Sequence, residues 1–174
     1  MTHRDTLLPQ ELIDAATKVI EANRAIGRRI TLAESCTGGL VAAALTEIPG
    51  SSDVFDASFV TYSNEAKKMM LGVSGDVLDT FGAVSVAVAW QMAQAAILRS
   101  SADIAVAITG VAGPGGGTDK KPVGRVVFAV AERSDEPREV MADARDFPDT
   151  GRGGVRLQAA LCALELLMPP AVEP

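Results

Sequence analysis

Six consecutive residues, Ile104 to Thr109 (I-A-V-A-I-T), run without a polar break into Gly110 and a glycine-rich stretch. The run is too short for a typical helix and apolar on both of its alternating faces, so it reads as a strand buried on both sides. Such a strand demands a sheet covered by helices on both faces, and the rest of the chain offers them. Leu12, Ile13, Ala16, Val19, Ile20 and Ile26 keep helical spacing and Gly27 stops it, which predicts a helix over 10–26. Arg29 to Ala33 is short and β-favouring; the turn S-C-T-G-G and an Ala- and Leu-rich helix ending at Pro49 follow. Phe55 to Tyr62 is a second strand, and Ser63 caps a helix from Asn64 to Met70. Helices over Gly75–Phe81 and Ser85–Ser100, strands over Gly124–Ala131 and Arg138–Ala144, and a closing helix bearing Leu157, Leu161, Leu164 and Met168 complete the pattern. The expected fold is α/β, a three-layer αβα sandwich with a mixed, mostly parallel central sheet. One domain is expected over residues 1–174, with residues 1–8 frayed.

Composition narrows the chemistry. A net charge of −6 leaves no broad basic face to gain from counterion release, so nucleic acid is not expected as a partner. The stretches Val84–Leu98 and Val155–Met168 are broken by Gln91, Gln94, Gln158 and Glu165 and fall short of the roughly 18–20 apolar residues of a membrane span. Met1 to Gln10 has no apolar signal core, and a cytoplasmic protein without membrane attachment is expected. The single histidine, His3, lies in the polar N-terminal segment, which removes histidine triads and zinc helices. Cys36 and Cys162 make no zinc site alone and read as reduced thiols. No metal or cofactor is expected, and a hydrolytic base must be Lys, Asp, Glu or Tyr.

Three glycine-bearing segments are candidate sites. Glu34 to Gly39 (E-S-C-T-G-G) leaves a strand and opens a helix, so its free N–H groups and the Ser35 and Thr37 hydroxyls face any anion placed there. A plain helix cap is the competing reading. Cys36 reads as a small buried hydrophobe rather than a thiolate, since no histidine stands by as base. With histidine absent, a serine activated by a lysine of lowered pKa is among the few nucleophile–base pairs left. Lys67, in the first turn of its helix, leans back toward the Tyr62 end of the preceding strand. Thr109 and Gly110, with Gly113-Pro114-Gly115-Gly116-Gly117 beyond them, end the most apolar strand, where open α/β sheets bind ligands. Lys120 and Lys121 read as solvated, whereas Arg152 and Arg156 near the start of the last helix oppose its dipole and point to an anionic ligand.

Taken together, T-L-A-E-S-C-T-G-G (31–39), G-S-S (50–52), F-V-T-Y-S-N-E-A-K (59–67), G-A-V-S (82–85) and I-T-G-V-A-G-P-G-G-G-T-D-K-K-P-V-G (108–124) resemble the C-terminal domain family of the competence/damage-inducible protein CinA. Its stand-alone members include nicotinamide mononucleotide deamidases. The resemblance covers essentially the whole chain. It implies a three-layer sandwich and an amidohydrolase converting nicotinamide mononucleotide and water to nicotinate mononucleotide and ammonia, without a metal. Carried over block by block, it places the nucleophile on Ser52, the base on Lys67, a supporting tyrosine on Tyr62 and a hydroxyl on Thr109. Substrate contacts then fall to Ser35, Thr37, Gly38, Gly39, Gly110, Gly113, Gly115, Arg152 and Arg156. The family pattern F-x-G-D-R-x-x-V-R is replaced by F-P-D-T-G-R-G-G-V-R (147–156), one residue longer and without the Asp-Arg pair. The alternatives are a non-catalytic nucleotide- or partner-binding module of the same fold and, last, a metal-dependent pyrophosphatase. The apolar helices are compatible with a homo-oligomer.

Overall fold

The structure, a computed structural model, describes residues 6–134 and 141–170. Five strands, β1 (Ile30–Glu34), β2 (Phe55–Val60), β3 (Ile104–Gly110), β4 (Arg125–Glu132) and β5 (Met141–Asp146), form one sheet in the order β2-β1-β3-β4-β5. The helices are α1 (Gln10–Ala25), α2 (Leu40–Thr46), α3 (Asn64–Leu71), α4 (Gly75–Phe81), α5 (Val86–Leu98) and α6 (Gly151–Leu166), with a short 3-10 turn at Ser51–Asp53. The sheet is mixed, as expected, with β1, β2, β3 and β5 running one way and β4 alone reversed. β1 runs parallel to β2 and β3, while β4 pairs antiparallel with both β3 and β5. The glycine-rich segment causes this: it returns the chain directly beside β3, with no crossover helix to keep the next strand parallel. Of the expected strand over 138–144, Arg138 to Val140 lie outside the described residues, as does His3.

Alternation along β3 builds the layers. Ile104, Val106 and Ile108 point into a core shared with α1, α2 and α6, where Leu12, Ile20, Leu45 and Leu164 are fully buried. Burying each such side chain contributes about 1.5–3 kcal/mol. Ala105 and Ala107 point the other way, with Ala33 and Ala129, against Val88, Ala89, Met92 and Ala96 of α5. Alanine on both surfaces lets α5 lie close to the sheet. Three serines fix where helices begin on this side: the hydroxyls of Ser63, Ser74 and Ser85 accept from the amides of Ala66, Val77 and Val88.

This arrangement gathers a functional edge. The register sets Glu34 opposite both Val60 and Ile108. The ladder extends one residue further, the Ser35 amide donating to Ile108 O at 2.9 Å and the Thr61 amide to Glu34 O at 2.9 Å. Ser35, Thr61 and Thr109 therefore stand side by side at the carboxyl ends of three neighbouring strands. Continuing the alternation of Ala33 and Ala107, Ser35 and Thr109 face the α5 layer.

Candidate active site

Lys67 is the centre of the site. The Ser63 cap begins α3 immediately after β2, which makes Lys67 the fourth residue of the helix and directs its side chain back over the strand end. It is 1% exposed, and its ammonium donates to Ser35 Oγ at 2.8 Å, to Thr61 O at 2.8 Å and, at 3.5 Å, to Tyr62 O. No carboxylate pairs with it among the described residues. Burial lowers its pKa from 10.5 to about 8. A serine hydroxyl on a buried lysine poised to be neutral is the geometry of an activated nucleophile.

The structure departs from expectation at Ser52. It is exposed in the 3-10 turn before β2, at the amino end of the strand, while Lys67 is bonded at the carboxyl end. Six residues of strand separate the two ends, roughly 20 Å at 3.3 Å per residue. The turn is held instead by Arg24, which donates to Gly50 O at 2.8 Å and lies 3.6 Å from the Asp53 carboxylate. Within one chain Lys67 meets Ser35, not Ser52.

The Ser35–Gly39 turn also differs from an anion cradle. Glu34, fully buried, turns its carboxylate under the start of α2 and accepts from the amides of Gly39 (3.0 Å), Val41 (3.2 Å) and Ala42 (2.9 Å) and from the hydroxyls of Thr37 (2.7 Å) and Ser58 (3.3 Å). The helix dipole and its free donors are thus answered from inside the protein. Thr37, Gly38 and Gly39 do not line the cleft, and Arg156 donates to Thr37 O at 2.9 Å behind the turn. Cys36 does line it, but burial pushes its thiol up to about 11, in keeping with an unreactive cysteine.

The cleft above Ser35 and Lys67 has a volume of about 320 Å³. One wall is Ala83 and Val84 from the α4–α5 turn; the other is Gly110 to Gly113 with Gly115 and Gly116. Gly110 and Gly113 are required there, since a Cβ would come within 2.8 Å of Val126 Cγ2 and 2.6 Å of Val123 Cγ1, respectively. Thr109 braces the two walls by donating to Ala83 O at 2.9 Å. That bond uses its only proton, so its hydroxyl does not serve as an oxyanion donor in this arrangement. The amides of Ala112 and Gly113 make no hydrogen bond among the described residues. At the mouth, Arg152 donates to Gly113 O at 2.7 Å and to the Tyr62 hydroxyl. Tyr62 thus braces Arg152 with its hydroxyl and Lys67 with its carbonyl. Gly151, the first residue of α6, has a left-handed φ of +82°. Two cations and no carboxylate line this cleft in a chain of net charge −6. Among the described residues no His, Cys, Asp or Glu cluster fits a metal ion, and no helix is long and apolar enough to cross a membrane.

Of the expected site residues, the structure brings together Lys67, Tyr62, Thr109, Ser35, Gly110, Gly113, Gly115 and Arg152, and leaves out Ser52, Thr37, Gly38, Gly39 and Arg156. Ser35 as the lysine's partner was the residue sequence reasoning missed. The signal was the strand period: two residues beyond Ala33, Ser35 shares the face on which Thr109 follows Ala107.

Residues 13–170 match the family model of the CinA C-terminal domain. The chain is 46% identical over 160 residues to the nicotinamide-nucleotide amidohydrolase PncC of Escherichia coli (strain K12), covering 90% of this chain and 93% of that protein. It is 49% identical over 146 residues to a putative competence-damage inducible protein of Symbiobacterium thermophilum, covering 81% of this chain and 34% of that protein. Against relatives of the second kind the chain spans about a third of their length. The crystal structure of the competence/damage inducible protein CihA from Agrobacterium tumefaciens superimposes with a TM-score of 0.87 at 48% identity, covering 93% of this chain and 96% of that one.

Proposed function

The chain belongs to the CinA C-terminal domain family, and on that premise we propose that it is an amidohydrolase that releases ammonia from nicotinamide mononucleotide, leaving nicotinate mononucleotide. The observation that carries the reading is the buried Lys67 ammonium on Ser35 Oγ, at the floor of a cleft lined by cations and no carboxylate. The amidohydrolase PncC from two enterobacterial sources, 44% and 46% identical over nine-tenths of the chain, supports the substrate.

In this reading neutral Lys67 accepts the Ser35 proton as Oγ attacks the carboxamide carbon. The C–N bond breaks, Lys67 returns the proton to the departing nitrogen, and ammonia leaves an ester on Ser35. Water then attacks the ester carbon, gives its proton to Lys67, and the C–Oγ bond breaks as Lys67 reprotonates Ser35. The Ala112 and Gly113 amides are the donors nearest in kind to an oxyanion hole. Arg152, at the mouth, answers the substrate phosphate.

Purified protein is tested for ammonia release from nicotinamide mononucleotide with a chelator present and with free nicotinamide and the dinucleotide in parallel. Release that depends on the mononucleotide is the expected result. Absence of release from protein that still binds the mononucleotide contradicts it and favours a binding module of the same fold.

A further inference from the structure

Thr61 is fully buried, and its hydroxyl is the one buried side-chain polar atom among the described residues without a hydrogen-bond partner. Its neighbours in kind are all engaged. Thr31 donates to Ala57 O, Thr37 to Glu34, Thr109 to Ala83 O, and Ser35 accepts from Lys67. Valine fills the same space and brings no oxygen to desolvate, so an unpaired hydroxyl here calls for a use outside the resting state. The backbone of Thr61 sits between nucleophile and base: its amide donates to the carbonyl of Glu34, next to Ser35, and its carbonyl accepts from the Lys67 ammonium at 2.8 Å.

We propose that the Thr61 hydroxyl is the alternate hydrogen-bond partner of the Lys67 amine, engaged once Ser35 Oγ is tied up as an ester, and that it positions Lys67 for the hydrolytic half of the reaction. The proposal rests on the reading of Ser35 and Lys67 as nucleophile and base. In the resting state the lysine is held by Ser35 Oγ and the Thr61 carbonyl, each at 2.8 Å, with the Tyr62 carbonyl at 3.5 Å. After acylation Oγ carries no proton and is a poor acceptor, and one of the amine's tethers is lost. The amine must then keep its lone pair toward the incoming water. A hydroxyl on the residue that already holds it by the carbonyl supplies the missing contact. The carbonyl tether survives any substitution at position 61, so removing the hydroxyl leaves the acylation geometry in place and weakens the hydrolytic step alone. Thr61 is in this sense a positioning residue, since it acts through Lys67.

The test follows ammonia and acid product separately by rapid mixing with nicotinamide mononucleotide, with intact-protein mass read in the steady state. Thr61→Val is expected to release a burst of about one equivalent of ammonia per site, then to turn over about tenfold more slowly than wild type, with the acyl adduct standing on the protein. Thr61→Ser is expected to restore turnover and remove the adduct. Wild-type turnover in Thr61→Val, or ammonia and acid slowed equally without an adduct, overturns the proposal. Should Thr61→Val not fold by circular dichroism, Thr61→Ser and Thr61→Ala, which differ by one oxygen, are compared in the same way, and equal behaviour of the two overturns it. Failure of the underlying reading shows elsewhere, as wild-type protein without ammonia release or Ser35→Ala with full activity.

Discussion

The two edges of the parallel half of the sheet hold similar residues and do different things with them. At the amino edge, Ser51 and Ser52 sit near Arg24 and Asp53, and Arg29 pairs with Asp56 at 2.6 Å; each cation has a carboxylate and access to water. At the carboxyl edge, Ser35 sits on Lys67, which is almost fully buried and has no carboxylate partner among the described residues. A serine beside a paired, solvated cation stays an ordinary hydroxyl. A serine beside a buried and unpaired lysine faces an amine that burial has already brought to about 8. Burial and the lack of a counterion make the difference, and residue type alone does not.

The comparison breaks first at Lys67. Lys67→Met is expected to lower ammonia release by about 10³-fold or more, as removal of a base acting as one unit with its nucleophile does. In wild type kcat/KM is expected to rise with pH through about 8, because the neutral amine is the base and only about a tenth of it is neutral at pH 7. A flat profile across that range contradicts the assignment.

A second test concerns the support under the active edge. Glu34→Ala leaves the Gly39, Val41 and Ala42 amides and the Thr37 hydroxyl without their acceptor, at a stability cost of about 2–4 kcal/mol. The melting temperature is then expected to fall by about 5–15 °C in calorimetry.

Lys67 also sharpens the comparison through stability. Its folded pKa lies below its unfolded value, so folding is opposed by the buried charge below about pH 8, and that opposition fades as pH rises toward 10.5. Lys67→Met is therefore expected to be more stable than wild type by about 1–3 kcal/mol at pH 7, with the gap closing at alkaline pH in denaturant titrations. The equivalent truncation of solvated Arg24 gains nothing of the kind. Smaller still, Arg152→Ala is expected to raise KM about tenfold with kcat nearly unchanged, since its guanidinium stands at the mouth and not at the reacting carbon. A drop confined to kcat places Arg152 in the chemistry instead.

Much of this edge was legible in the chain. The unbroken apolar run of β3 required a sheet covered on both faces, the single histidine left Lys, Asp, Glu or Tyr as base, and the helix-start position of Lys67 aimed it at the end of β2. Ser52 came from the family resemblance of the G-S-S block, and a block match along the sequence cannot tell the two ends of a strand apart. Parallel pairing can, because it puts the carboxyl ends of β1, β2 and β3 together and the Ser52 turn at the far side. The E-S-C-T-G-G turn left two readings open for a related reason. Its motif looks the same whether the helix donors face a ligand or the chain's own Glu34, and only the fold decides which.

The most direct measurement of the central claim is ammonia release from nicotinamide mononucleotide by Ser35→Ala and Ser52→Ala side by side, each shown to be folded. Activity lost by about 10³-fold in Ser35→Ala and within twofold of wild type in Ser52→Ala is the predicted result. Full activity in Ser35→Ala, or an equal loss in Ser52→Ala, contradicts the pairing of Ser35 with Lys67 as the working site.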